Sequence, residues 1–358
     1  MAEAIKNMFN QEYLRTVGLK VQSVHQDFHI DAFAEDVQRE PWTDLEMMNR
    51  IDKITETLRM HLPADYEEAV TILAEAADAK GASGYMFFPH FVAKYGIDHW
   101  ETSMIMLRRF TPHASSEFAV RPFIEKDPSE MVKVMKEWAS SEDEHVRRLA
   151  SEGSRPRLPW GKTLSRFIKD PTKTTAILEL LKEDPSKYVR KSVANHLNDF
   201  SKDHPNYVLK LAKSWQGKSE QTDWIIRHGC RTLIRKSLPE AYELFGYSGQ
   251  VRDGVLNIEP PSIVIGESIT MHYGFTIEQA GLMRVEYGIQ FVKANGKQSE
   301  KKFLLVERTY RTGEIVERER THSFADLSTR KHYPGTHIVT IYVNGIAVSE
   351  SSINVMKK

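Results

Sequence analysis

The sequence predicts two successive domains, a HEAT-like helical-repeat solenoid and then an immunoglobulin-like β-sandwich. Three observations carry that expectation. The chain has 358 residues, more than one hydrophobic core usually organises. Apolar residues recur at helical spacing up to about residue 245 and alternate in strand fashion afterwards. Finally, three residue pairs, Asp127 and Asp170, Val146 and Val189, Arg147 and Arg190, are each separated by 43 positions. A period near forty residues is that of paired helices that bury their apolar faces only by stacking on one another.

Within the repeat, Val146, Leu149 and Ala150 share one arc of a helical wheel, and Val189, Ser192 and Val193 share the matching arc one unit later. That arc is the expected core face. Arg147, Arg148, Arg190 and Lys191 lie off it, so stacking is expected to set basic side chains in rows on an accessible surface. A looser third copy runs through Trp224, Arg227 and Arg231. Beyond residue 250, segments such as SIVIGESITMHYGF and HIVTIYVNGIAVSESSINV are rich in Val, Ile, Tyr and Phe and are punctuated by Gly, Asn and Pro. About seven strands in roughly a hundred residues point to a two-sheet sandwich. The boundary is placed in GYSGQVRDG (246–254), giving domains at 1–248 and 249–358.

Lys and Arg together equal Asp and Glu together, 49 against 49, but the charge is unevenly spread. Residues 1–100 hold 9 basic against 17 acidic side chains, and residues 151–250 hold 18 against 11. Clustered positive charge is what a polyphosphate partner requires, because each neutralised phosphate releases condensed counterions. A single cysteine, Cys230, excludes an internal disulfide framework and a cysteine-rich zinc module. His228 and Cys230 have no companions at metal-ligand spacing, so no metal is expected. No phosphate-binding glycine loop, G-x-S-x-G elbow or HExxH is present. The charged N-terminus lacks an apolar stretch of signal-peptide or membrane length, and the expected location is the cytoplasm.

The most informative stretch is VRRLASEGSRPRLPWGKTL (146–164). Glu152 stands at the end of a helix stopped by Gly153 and Pro156, where a carboxylate opposes the negative end of the helix dipole. Something must offset that cost, and Arg148 at (i, i−4) is the nearest candidate. Asn195 occupies the equivalent position one repeat later, so the architecture itself does not demand an acid there. Arg155 and Arg157 flank Pro156 in a stiff loop that suits phosphates, and Trp160, outside either helical stripe, is a candidate for presentation to a ligand.

In SSEFAVRPF (115–123), Ser115 or Ser116 is expected to cap a helix whose first turn contains Glu117. Phe118 and Phe123 read as core, and Arg121 as a contact to backbone or phosphate. In TDWIIRHGCRTLIRKS, Arg227, Arg231 and Arg235 recur every four residues and are expected to share one face.

Four stretches together, SSEFAVRPF (115–123), VRRLASEGSRPRLPWG (146–161), DPSKYVRKSVANHLNDFSKDHP (184–205) and RHGCRTLIRK (227–236), resemble the AlkC branch of the alkylpurine DNA glycosylases. That resemblance implies hydrolysis of the N-glycosidic bond of cationic alkylated bases such as 3-methyladenine and 3-methylcytosine in base excision repair. It places the catalytic roles on Glu117 and Glu152, with Trp160 beside the lesion. The expected DNA-binding set is Phe118, Arg121, Arg148, Arg155, Arg157, Lys162, Arg190, Lys191, Arg227, His228, Arg231 and Arg235. The expected partner is double-stranded DNA containing alkylated bases, bound by a monomer without cofactor, metal or membrane. A non-catalytic repeat scaffold for DNA or protein is the alternative. In the sandwich, Lys301, Lys302, Arg308, Arg311, Arg318 and Arg320 are the groups that could extend a DNA footprint.

Overall fold

The computed structural model describes residues 6–79, 85–327 and 330–357. The chain forms two compact units, one comprising Met1–His204 and Trp215–Gly229 and the other Pro205–Ser214 and Cys230–Lys358.

The first unit is helical. Its leading part comprises α1 (Gln11–Gln22), α2 (Ile30–Gln38), α3 (Met47–His61), α4 (Tyr66–Asp78), α5 (Phe87–Tyr95) and α6 (Trp100–Phe110). These helices pack around aromatic side chains, among them Phe28, Phe33, Phe87, Phe88, Phe91 and Phe110, all of them buried. After α7 (Arg121–Lys126) come α8 (Pro128–Trp138) and α9 (Glu144–Gly153), then α10 (Ser165–Lys169), α11 (Thr172–Leu181) and α12 (Lys187–Asp203).

The 43-residue period of the sequence reappears as geometry. Asp127 caps α8 by accepting from the amides of Ser129 and Glu130, and Asp170 accepts from the Thr172 amide that opens α11. In each case the aspartate satisfies otherwise unpartnered donors, and Pro128 presets the first helical φ of α8. The first helices α8 and α11 pack together, as do the second helices α9 and α12. A further helix, α14 (Glu220–Gly229), follows α13 (Pro205–Trp215) and packs on α12.

The paired arginines of the repeat serve the turns between helices. Arg147 donates to the carbonyls of Ser141 and Glu142 (2.9 and 2.7 Å), and Arg190 to those of Asp184 and Pro185 (2.6 and 2.8 Å). In both units the guanidinium reaches back to the same two positions ahead of its own helix. Arg147 also binds Asp184 through both carboxylate oxygens (2.6 and 3.2 Å), tying one repeat to the next.

The second unit contains α13 up to Ser214, α15 (Arg231–Arg235), α16 (Pro239–Leu244) and a sandwich of two sheets. The strands are β1 (Gln250–Glu259), β2 (Ser262–Val264), β3 (Ser268–Gln279), β4 (Gly281–Val292), β5 (Gln298–Tyr310), β6 (Ile315–Ser323), β7 (Gly335–Val343) and β8 (Ile346–Met356). One sheet has the order β1-β3-β6 and the other β2-β8-β7-β4-β5. The described residues thus hold eight strands where about seven were expected. SIVIGESITMHYGF breaks at Gly266, whose φ of +109° is open to glycine alone; β2 before it pairs with β8, and β3 after it with β1 and β6. Alternate residues Ile269, Met271, Tyr273, Phe275 and Ile277 face Met283, Val285, Tyr287 and Ile289 in the core. The buried Glu286 is paired with Arg284 at 2.8 Å and accepts from the Tyr242 hydroxyl of α16 at 3.2 Å.

The contact between α12 and α14 depends on Gly229, because a Cβ there would lie 2.7 to 3.0 Å from Leu197 side-chain atoms. Gly229→Val is expected to lose about 1–3 kcal/mol in chemical denaturation, and unchanged stability would show that the two helices are free to separate.

Candidate functional site

The site grows from the C-terminal end of α9. Leu149 and Ala150 anchor the helix in the core, and Gly153 in its last turn lies so close to Val120 that a Cβ would stand 2.6 Å from that side chain. This close approach draws the segment before α7 against the end of α9. Gly153 therefore acts by its small size, while Ser154, donating to the Ala150 carbonyl at 2.6 Å, occupies the C-cap.

Glu152 is 6% exposed at this unfavourable end of the helix dipole. Two hydrogen-bond donors and a further cation offset the cost. Arg155 reaches Oε1 at 2.7 Å, Ser192 of α12 donates to Oε2 at 2.6 Å, and Arg148 stands 3.6 Å from Oε1. Arg155 is itself buried and held by Asp199 at 3.0 Å. Burial opposes the charge of Arg155, but the Glu152 and Asp199 carboxylates outweigh it and raise the guanidinium above its ordinary value.

Glu117 lies in a turn ahead of α7. Its Oε2 accepts from Ser115 Oγ at 2.9 Å and from Arg148. Arg148 thus joins the two carboxylates, and its guanidinium lies 5.2 Å from the centre of the Tyr188 ring, within cation–π range.

The loop after α9 is fastened from behind by Arg121. This side chain is 2% exposed and donates to the carbonyls of Gly153, Arg155 and Lys162. Burial pulls its guanidinium down to about 10. Fastened in this way, the loop projects Trp160, which is 77% exposed with φ +64°. A tryptophan in the left-handed region is rare and strained, and an exposed indole gains little from burial. Glu117, Phe118, Arg148, Glu152, Arg155, Pro159, Trp160 and Tyr188 line one cleft of about 690 Å³, together with the apolar side chains of Met8, Phe9, Met47 and Met86.

The family model described as "DNA alkylation repair enzyme" matches residues 111–244, and that of the "Uncharacterised protein YhaZ, C-terminal Ig-like domain" matches 253–357. The chain is 43% identical to the uncharacterized protein YhaZ of Bacillus subtilis, over 95% of this chain and 96% of the relative. The solved structure of the Pseudomonas fluorescens alkylpurine DNA glycosylase AlkC, bound to DNA containing an abasic site analog, is similar with a TM-score of 0.91 and 36% identity. That match covers 98% of this chain and 99% of the other. The chain belongs to the AlkC family.

For this AlkC-family chain, several sequence expectations change. Glu117 is not in the first turn of a serine-capped helix. α7 begins at Arg121, and the hydroxyls of Ser115 and Ser116 go to Glu117 and to the Leu107 carbonyl. Arg148 does lie near Glu152, but Arg155 is its closer partner.

Arg121 and Arg155 are buried and organise the loop, donating to main-chain carbonyls in the one case and to the Asp199 and Glu152 carboxylates in the other. Arg190 is likewise a turn clamp, half-buried against its own preceding loop. Arg157 pairs with Asp203 (3.0 and 2.9 Å) and Lys162 with Glu125 (2.5 Å), both at the surface.

Phe118 is half-buried and faces the cleft, whereas Phe123 is fully buried. Lys191 is exposed. Arg227 and His228 lie on α14, with His228 stacked on Trp224 at 5.3 Å, while Arg231 and Arg235 lie on α15. The helix breaks at Cys230, so the four-residue spacing does not define a single helical face.

In the sequence, Ser115 and Ser192 are legible only as a helix cap and a member of the repeat's arc, and Tyr188 and Asp199 have no role. Only Ser192 left a signal, a hydroxyl in an arc that is otherwise apolar.

One buried group ties this site to pH. His196, fully buried on α12, donates from Nδ1 to the Ser151 carbonyl at 3.0 Å and faces Thr174 Oγ1 at 3.2 Å. Burial pushes its imidazole down from 6.5 to about 4. The folded value is the lower one, so between these limits the unfolded chain takes up a proton that the folded chain refuses. The contribution is present above pH 6.5 and is lost as pH falls toward 4. Urea denaturation at pH 7 and pH 5 is expected to show lower stability at pH 5, with a weaker pH dependence in His196→Asn. Equal dependence in the two proteins would contradict the assignment.

Proposed function

We propose that the protein is a DNA glycosylase that hydrolyses the N-glycosidic bond of cationic N-alkylated bases, with 3-methyladenine and 3-methylcytosine as its substrates. The observation that carries this reading is the convergence of Glu117, Glu152 and an exposed, backbone-strained Trp160 on one cleft. The AlkC-family likeness supports it. An alkylated base that already bears a positive charge leaves with the bonding electron pair and becomes neutral, so the enzyme need not protonate it. The requirement lies at the sugar, where C1′ gains positive charge as the bond breaks.

Two carboxylates answer that requirement. Glu152, with donors on both oxygens, is held as a fixed negative charge facing the sugar. Glu117 spends Oε2 on Ser115 and Arg148, which leaves Oε1 to orient the water. The water oxygen bonds to C1′ and its proton passes toward Glu117. Trp160 offers an aromatic face to the cationic lesion, a contact of roughly 0.5–2 kcal/mol.

Exposed basic groups, including Lys162, Lys191 and Arg227, supply contacts to backbone phosphate in this reading. The repeat domain is taken as residues 1–248 and the immunoglobulin-like domain as 249–358, acting on duplex DNA as a monomer in the cytoplasm.

A base-release assay on duplexes with one defined lesion tests the reading. Wild type is expected to release 3-methyladenine and 3-methylcytosine. Glu117→Gln with Glu152→Gln should slow release by about a hundredfold or more, and Trp160→Ala by about tenfold. Release undiminished in the double variant would remove the assigned roles. DNA binding with no release from any lesion would favour the scaffold alternative.

A further inference from the structure

The repeat specifies what α12 should present to α9, and α12 departs from it. Moving forward by 43 residues, Leu149, Gly153 and Pro156 correspond to Ser192, His196 and Asp199. An apolar or small residue at each place gives way to a polar one, although all three remain in the interior at 2%, 0% and 1% exposure. Burying three polar side chains is unfavourable unless each finds a partner.

The spacing of four and then three residues sets the three on one stripe of the helix, and their partners lie together at the C-terminal end of α9. Ser192 donates to Glu152 Oε2 at 2.6 Å. His196 holds the main-chain carbonyl of Ser151, the residue before Glu152, at 3.0 Å. Asp199 accepts from Arg155 at 3.0 Å, and Arg155 donates onward to Glu152 Oε1 at 2.7 Å. Each oxygen of the carboxylate and the backbone that carries it are therefore gripped from one helix.

We propose that Ser192, His196 and Asp199 are positioning residues that fix the Glu152 carboxylate where positive charge develops on the sugar. The proposal rests on the glycosylase reading above. Ser192 acts directly, Asp199 through Arg155, and His196 through the Ser151 carbonyl. A carboxylate at a helix C-terminus is repelled by the surrounding carbonyls, and without these three holds it would turn away. Small misplacements of a reacting group cost rate steeply, so the grip acts on the chemical step rather than on DNA binding.

The test is a double-mutant cycle on the full-length protein, reading single-turnover release of 3-methyladenine and the Kd for duplex DNA with an abasic-site analog. Ser192→Ala is expected to slow release about tenfold with Kd little changed, alongside a modest fall in Tm because the buried Glu152 Oε2 loses its donor. Ser192→Thr, which keeps the hydroxyl, should recover most of the rate, and Asp199→Asn should slow release as Ser192→Ala does. Because Ser192 acts through Glu152, Ser192→Ala should cost nothing further in a Glu152→Gln background. Equal losses in both backgrounds, or a wild-type rate in Ser192→Ala, would overturn the proposal.

A crystal structure of Ser192→Ala separates this from failure of the glycosylase reading. If the wild type releases no base, that reading falls by itself; a displaced Glu152 carboxylate in the variant still supports the positioning role, and an unmoved one overturns it.

Discussion

A buried carboxylate at the wrong end of a helix is the constraint around which this site is arranged. Glu152 must be neutralised where α9 ends, and its neutralisation recruits the next charge, and that one the next. The order runs Glu117, Arg148, Glu152, Arg155, Asp199, alternating in sign, and the surface Lys202 closes it at 3.0 Å from Asp199. Such a series is stable only when complete, because removing one member of a buried pair strands its partner at a cost of about 3–5 kcal/mol. The site is consequently as stiff as a core. That stiffness is what electrostatic stabilisation of a short-lived cation demands, since dipoles and charges that must reorient during the reaction lose their advantage.

The same constraint changes how the basic section of the chain should be understood. Residues 151–250 have an excess of positive charge, yet Arg155 and Arg190, like Arg121, Arg147 and Arg148 just before the section, are engaged inside the protein. Charge counted along a sequence therefore overstates what is available to a phosphate backbone. The exposed cations that remain are fewer, and several have a surface carboxylate partner, as Arg157 has in Asp203 and Lys162 in Glu125. Surface pairs of this kind contribute little to stability and exchange readily for a phosphate.

The helical repeat was legible because its period is carried by short-range features, the Asp–Pro caps and the apolar arcs of α9 and α12. The sandwich was legible through alternation, with eight strands among the described residues where about seven were expected. Within the site, the exposure of Trp160 and the need of Glu152 for compensation could both be reasoned from their neighbours in sequence. What could not be reasoned is which partner each arginine takes. Asp184 lies 37 positions from Arg147, and Asp199 lies 44 from Arg155, so each pairing exists only once the repeats have stacked. The turn at Glu117 is a similar case. A serine pair before an acid is a good helix cap locally, but Arg148 and the Leu107 carbonyl compete for the same groups and win.

The central claim is that fixed negative charge in this cleft stabilises positive charge on the sugar. Comparing the affinity of the protein for duplexes containing a cationic azasugar and a neutral abasic analog of the same shape tests it most directly. The cation is expected to be preferred by about tenfold or more, and the preference disappears when Glu152 is replaced by Gln. Equal affinity for the two duplexes, or a preference that survives the replacement, would contradict it.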